Sequence, residues 1–385
     1  MAEKEAGSTE IGFLDDRDLS EAAEAAASSK DEITDPKPSV LPIIRKWAVR
    51  LISVAGILFV LALLAGFVAW LEFRVRLMPV SDKKNQIVVE IPSGASVRQI
   101  GRLLQEKGVI RSAEAFRYYV TLKKTGGRIK AGEQVLDSSQ NTPEVLAALI
   151  KGSFKLYPVT VPEGLTMAQI AVLIHKAGLV DEQAFLDLGR DQAFIKAMGL
   201  QEDSLEGYLF PDTYNFIRNV TTKEVVKAMV ERFWQVWEKY RPLAEIQKLT
   251  RHEIVTLASL VEKETGAAAE RPLVASVFHN RLAKGMKLET DPTVIYGLKS
   301  FDGNLTKKDL QTPSPYNTYL IPGLPPGPIC SPGEASLKAV LEPAKSDYLF
   351  FVSRNDGTHQ FSRTLAEHNK AVDQYQKSLK KKPTG

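Results

Sequence analysis

Apolar and polar positions fall into three regimes along the chain. Residues 1–40 hold few large apolar side chains, with prolines at 36 and 38. Residues 51–71 run for 21 positions without a charge, interrupted only by the small polar Ser53. That length crosses a bilayer as one helix, and Trp47 and Trp70 stand where interfacial aromatics belong. A single transmembrane helix over 47–71 is therefore expected. Beyond it, apolar residues recur at helical spacing or gather in short β-rich runs, separated by proline and glycine. The fold class expected there is α+β, mainly helical with a few short strands.

Two stretches of this third regime repeat each other. IPSGASVRQI at 91–100 and VPEGLTMAQI at 161–170 each read as a β-rich run, a Pro-x-Gly turn, a capping box and an amphipathic helix. The boxes are Ser96/Gln99 and Thr166/Gln169. The apolar faces are Val97, Ile100, Leu103, Leu104 and Met167, Ile170, Leu173, Ile174. Gly108 and Gly178 supply the stops. Two copies are too few for a solenoid. Between them, 130–136 reads as a strand and 142–150 as a helix begun by Thr142-Pro143. A small strand-and-helix module is thus expected over 87–156, with a larger, mainly helical domain over 157–385.

Within that larger domain, 205–214 is a loop dense in aromatics, followed by a helix from Thr222 to Lys239. Residues 311–333 contain seven prolines and three glycines around Tyr316, Asn317 and Tyr319. So many prolines stiffen a loop. Such a loop suits a sugar chain, with rings stacking on Tyr and amides bonding hydroxyls, or else it packs as a structural corner. The runs 348–353 and 359–362 flank Asn355-Asp-Gly357, a hairpin signal.

The most regular helix is TRHEIVTLASLVEKETG at 250–266. Thr250 and Glu253 form a capping box, Gly266 offers a stop, and Ile254, Leu257, Ala258 and Val261 make one stripe. Glu262 and Glu264 flank that stripe in the last turn, and the helical wheel does not choose between them. A carboxyl there feels the negative end of the helix dipole, and burial disfavours its charge further. Both raise its pKa toward what a general acid needs. The alternative is a solvated glutamate, paired with Lys263 or a nearby arginine.

Composition acts mainly by exclusion. The first 40 residues carry eleven Asp/Glu against four Lys/Arg, so 1–46 is expected to be a disordered acidic tail. Its acidity does not suit a cleaved signal peptide. Positive charge is nearly balanced across the span, with Arg45, Lys46 and Arg50 before it and Arg74, Arg76, Lys83 and Lys84 after. One cysteine, Cys330, forbids an intrachain disulfide and a cysteine-based metal cluster. Five histidines without HExxH or HxH spacing argue against a metalloenzyme, and no P-loop, GxSxG or GxGxxG is present. No metal or cofactor is expected. The net charge of +4 forms no basic stripe, which argues against nucleic acid; the lysines at 377 and 380–382 read as a solvated tail.

LASLVEKETG at 257–266 is followed by Glu270-Arg271, ASVFHNR at 275–281 and LETDPTVIYG at 288–297. PYNTY at 315–319, GLPPGPI at 323–329 and His368-Asn369 complete the series, with LEG at 205–207 and PDT at 211–213 upstream. Together these strings resemble the YceG-like endolytic murein transglycosylases, over about 300 residues in register. The resemblance implies a single-pass enzyme of the bacterial inner membrane whose catalytic domain faces the periplasmic side. It implies a LysM-like module over 87–156 and a catalytic glutamate at the second Glu of EKET, Glu264. Its substrate would be peptidoglycan, cut at the MurNAc–GlcNAc bond to leave 1,6-anhydroMurNAc ends. One carboxyl suffices for that reaction, whereas ordinary glycosidases use two. Asp291, Glu289, Glu206 and Asp212 are the candidate second carboxylates, although Asp291 before Pro292 reads as a helix N-cap. Tyr316, Asn317 and Tyr319 are expected to hold sugars and Glu206 to orient the site. Peptidoglycan synthases are possible protein partners. The rival readings are a non-catalytic anchor that binds peptidoglycan and positions synthases, and a hydrolytic muramidase.

Overall fold

A computed structural model describes residues 41–377. Residues 1–40 of the acidic tail expected at 1–46, and the lysines at 380–382, lie outside the described residues. The chain divides into two units, one ending at Arg74 and one beginning at Val75. The first is carried by helix α1 (Leu41–Arg76), which starts before the end of the expected tail. Pro42 is tolerated because the first turn needs no internal N–H donors. The helix over Arg45–Arg76 is long and apolar enough to cross a membrane, and its most apolar 18-residue window has a mean hydropathy of 2.8 with none of it buried.

The second unit holds two hydrophobic cores. In the first, β1 (Gln86–Ile91) leads to α2 (Val97–Glu106) and α3 (Ala113–Lys123). The chain returns as β2 (Gly132–Asp137) and ends in α4 (Thr142–Lys151). β1 and β2 are antiparallel, in register from Gln86 opposite Asp137 to Ile91 opposite Gly132. Val89, Ile91, Ile100, Leu104, Phe116, Leu136, Val145 and Leu149 bury together between the strand pair and the helices. The Ser96/Gln99 box is formed, and Asn141 caps α4 with Glu144 reaching back. The strand expected at 130–136 begins two residues later.

The second core starts with β3 (Tyr157–Thr160), α5 (Met167–Lys176), α6 (Glu182–Leu188) and α7 (Gln192–Ala197). β4 (Thr213–Phe216) pairs antiparallel with β3. There follow α8 (Thr222–Gln247), α9 (Arg251–Glu264), α10 (Arg271–Ala283), α11 (Asp291–Gly297) and α12 (Glu334–Leu341). The hairpin β5 (Phe350–Ser353) and β6 (His359–Ser362) precedes α13 (Leu365–Val372). This is the expected α+β architecture, and every named strand belongs to a two-stranded pair. α8 runs two turns past the expected end at Lys239, through Pro242. Leu243 and Ala244 pack on the core beyond the proline and keep those turns folded.

α9 is the axis of this core. Every side chain from Ile254 to Val261 is buried, on all faces rather than along one stripe. Its start is the expected box, with the Thr250 N–H donating to Glu253 Oε2 at 2.7 Å and the Glu253 N–H to Thr250 Oγ1 at 3.2 Å. Its end differs from expectation. Thr265 leaves the helix in an extended conformation, its hydroxyl turned back to the Val261 carbonyl, and Gly266 is not the left-handed stop. Gly266 is small for another reason: a Cβ there would lie 3.0 Å from the Gly357 carbonyl oxygen of the hairpin loop.

The proline-rich stretch crosses α9. Ile329 donates its N–H to Ser259 Oγ at 3.0 Å, and the Cys330 thiol points at the Ser259 carbonyl at 3.4 Å. Both residues are buried, so this part of 311–333 packs as a corner of the core.

Candidate active site

The buried body of α9 delivers its last turn to a junction of α10, α11 and the hairpin, and there the two glutamates part. Glu262 faces Arg271, whose Nη2 lies 3.3 Å from Oε1, while Oε2 accepts the Gly333 N–H at 3.0 Å. The same guanidinium lies 3.6 Å from Glu163, in the Pro-x-Gly turn of the second repeat. A Cβ at position 333 would displace the Glu163 carboxyl from the place it holds here. Glu262 is thus the ion-paired residue that the sequence allowed for, with its partner across the turn.

Glu264 is half-buried, and its Oε1 accepts the Thr290 hydroxyl. Burial is the largest influence on its proton and pushes the pKa up to about 7. The Thr290 hydrogen bond pulls it down, the Asp291 carboxylate pushes it up, and His359 and Arg281 pull it down. The outcome is a carboxyl that can both hold and lose a proton near neutral pH.

The surroundings are fixed from three directions. Arg281 of α10 is buried and donates from Nη1 to the carbonyls of Lys287 at 3.1 Å and Leu288 at 2.9 Å, and from Nε to Leu349 at 2.6 Å. It also meets Glu289 at 3.2 Å. Glu289 sits at φ 50, an unfavourable conformation for a residue with a side chain, just before Thr290. On the hairpin, His359 Nδ1 lies 2.8 Å from Glu270 Oε2.

The other residues singled out from sequence sort to the two ends of α11, about 10 Å apart for seven residues. At the amino end, beside Glu264, the Tyr319 hydroxyl donates to Asp291 Oδ1 at 2.6 Å. The N-cap of α11 is Thr290, not Asp291; with Pro292 second, Asp291 becomes the first helical residue and its carboxylate is left for Tyr319. At the carboxyl end, the buried Glu206 accepts the Met167 N–H at 2.9 Å and the Tyr296 hydroxyl at 3.3 Å. Burial pushes its pKa up to about 7 as well, against the pull of those bonds. The Tyr316 ring stands 4.8 Å from that of Tyr296. Asn317 lies inside the loop. Its amide donates to the carbonyls of Leu310 at 3.1 Å and Thr312 at 2.8 Å, and its Oδ1 accepts the Tyr319 N–H at 3.0 Å. Both amide hydrogens are thereby committed, and Asn317 shapes the loop that presents Tyr319.

Sequence reasoning passed over Thr290, Arg281 and the Glu270–His359 pair. A threonine two residues before a proline signals a cap, which would have placed Thr290 at the start of α11. Nothing in the spacing brings Arg281 or His359 to Glu264. Among the described residues, no group of three or more His, Cys, Asp or Glu could hold a metal.

The YceG-like family model matches residues 89–374. The endolytic murein transglycosylase of Bacillus subtilis (strain 168) is 37% identical over 331 residues, covering 82% of this chain and 92% of that protein. The protein of the same name from Streptococcus pneumoniae serotype 2 is 30% identical over 358 residues, covering 84% of this chain and 65% of its own length. The crystal structure of a yceG-like protein from Listeria monocytogenes aligns with a TM-score of 0.53 at 37% identity, covering 75% of this chain and all of that one.

Proposed function

The chain belongs to the YceG-like family, and on that premise we propose that it is a membrane-anchored endolytic lytic transglycosylase of peptidoglycan. The observation that carries the reading is Glu264 itself: a half-buried carboxyl at the end of a buried helix, held by a hydroxyl and poised near neutrality. Protonated Glu264 donates to the oxygen linking MurNAc C1 to GlcNAc, and the C1–O bond breaks as positive charge builds at C1. The GlcNAc leaves with that proton as its new hydroxyl. Ionised Glu264 then takes the proton of the C6 hydroxyl of the same MurNAc, O6 bonds to C1, and the 1,6-anhydro ring closes. The acid is restored and no water is consumed. Tyr316 and Tyr319 would line the strand, and Glu206 would brace α11 from its far end.

In this reading α1 is the single membrane anchor, in the bacterial inner membrane, with the catalytic part on the periplasmic side. The first core is a LysM-like module that holds glycan, and peptidoglycan synthases supply the nascent strand. A reporter active only in oxidising space, fused at the carboxyl terminus, should work; activity of a cytoplasmic reporter there instead would reverse the orientation.

A hydrolytic muramidase has one observation in its favour, the Asp291 carboxylate beside Glu264. Digestion of sacculi in heavy-oxygen water separates the two. A transglycosylase leaves unlabelled 1,6-anhydroMurNAc ends and broadly shortened strands. Labelled reducing MurNAc ends would overturn the assignment in favour of hydrolysis.

A further inference from the structure

We propose that Thr290 and Asp291, adjacent at the amino end of α11, are positioning residues for Glu264. Thr290 fixes which carboxyl oxygen carries the proton, and Asp291 is the fixed negative charge beside it. The inference rests on the reading of Glu264 as acid and base.

The geometry of Thr290 is the starting point. Its hydroxyl donates to Oε1, so in the protonated carboxyl Oε1 is the carbonyl-like oxygen and the proton sits on Oε2. Thr290 has little freedom to do otherwise. Its N–H donates to Thr318 Oγ1 at 3.0 Å, and its carbonyl accepts from Thr293 Oγ1 at 2.7 Å. Those two hydroxyls meet at 2.8 Å, and all three threonines are buried. A backbone gripped on both sides by buried hydroxyls holds the third hydroxyl on its target.

Asp291 is held by Tyr319, whose carbonyl in turn accepts from Lys287 Nζ at 3.0 Å. The titratable groups facing Glu264 come from three elements: Asp291 on α11, Arg281 on α10 and His359 on β6. Arg281 and His359 pull toward the ionised carboxyl, and Asp291 opposes them. Tyr319, in the loop, joins the same electrostatic neighbourhood as a phenol. Neighbouring residues of one helix end therefore act on Glu264 in opposite senses. The Thr290 donor steadies the ionised form, and the Asp291 carboxylate keeps the proton on.

The signs give a sharp experiment. A general acid must be protonated, so cleavage falls as pH rises through the Glu264 pKa, near 7. Full-length protein in detergent is assayed on purified sacculi from about pH 5 to about pH 9. Thr290→Val should lose roughly ten- to a hundred-fold in rate and move the alkaline limb to higher pH. Thr290→Ser, which keeps the hydroxyl, should restore both. The near-isosteric Asp291→Asn should move the limb to lower pH. Limbs that stay in place, or move in the same direction, overturn the inference, as does failure of serine to rescue. Glu264→Gln is run alongside. If it cleaves at the native rate, the acid assignment falls and takes this inference with it. If it is inactive while the limbs do not move, only the inference falls.

Discussion

The two sides of the last turn of α9 carry the same chemical group and treat it in opposite ways. On one side Glu262 meets a guanidinium and a backbone N–H. On the other Glu264 meets a neutral hydroxyl and stands near a second carboxylate. A carboxyl beside arginine ties elements together, here α9, α10 and the second repeat. A carboxyl left with a hydroxyl and a like charge keeps its proton within reach of neutral pH. Position on the helix is nearly equivalent; the partners brought by other elements make the difference.

The comparison is most directly challenged at Glu264. Glu264→Gln keeps size and hydrogen bonding but has no proton to give. Cleavage of sacculi should fall by about 10² to 10⁴, with α-helical circular dichroism and glycan binding retained. Arg271→Ala attacks the other side by leaving Glu262 and Glu163 facing each other without their cation. It should lower unfolding free energy by roughly 2–4 kcal/mol in denaturant titration. A small loss there would mean that the ion pair is not what ties this side together.

A third prediction concerns the cost of keeping Glu264 poised. Its pKa is raised in the folded state, from an ordinary 4.5 to about 7, so between those values the folded protein binds more protons than the unfolded chain. Stability therefore falls as pH rises through that window. Glu264→Gln escapes this, so its stability relative to the parent should grow by roughly 1–3 kcal/mol from about pH 5 to about pH 8. A pH-independent difference would show that the carboxyl is not poised. The smallest effect is expected for Glu262→Gln, whose cleavage rate should stay within about five-fold of the parent. Equal losses at 262 and 264 would erase the distinction between the two sides.

Much of the scaffold was legible because it is written in local signals. The boxes at Ser96, Thr166 and Thr250 formed, and the two repeats each delivered their helix face to a core. The repeats nevertheless entered different cores. The first builds the β1–β2 module, whereas the second offers Met167 to Glu206 and places Glu163 at Arg271. A strand–turn–helix motif specifies its own shape, not its neighbours. The same limit explains the site. Periodicity gave Glu262 and Glu264 their angles but not Arg271 or Thr290, which arrive from other helices. The sequence reads Asn317 as an amide for sugar hydroxyls because it stands between tyrosines in a stiffened loop. Its partners, Leu310 and Thr312, are close in sequence, but only the folded turn directs their carbonyls inward. Asp291 and Gly266 were each given the wrong local task for a similar reason, a long-range contact with Tyr319 or with the hairpin loop.

The thiol of Cys330 is sealed against the middle of α9, with burial holding it well above the ordinary range for ionisation. A thiol reagent can react with it only when the proline-rich stretch lifts away from Ser259. The protein therefore contains its own clock for that excursion. The labelling rate under native conditions, read by mass, would count how often the corner over α9 opens while the rest of the fold stays intact.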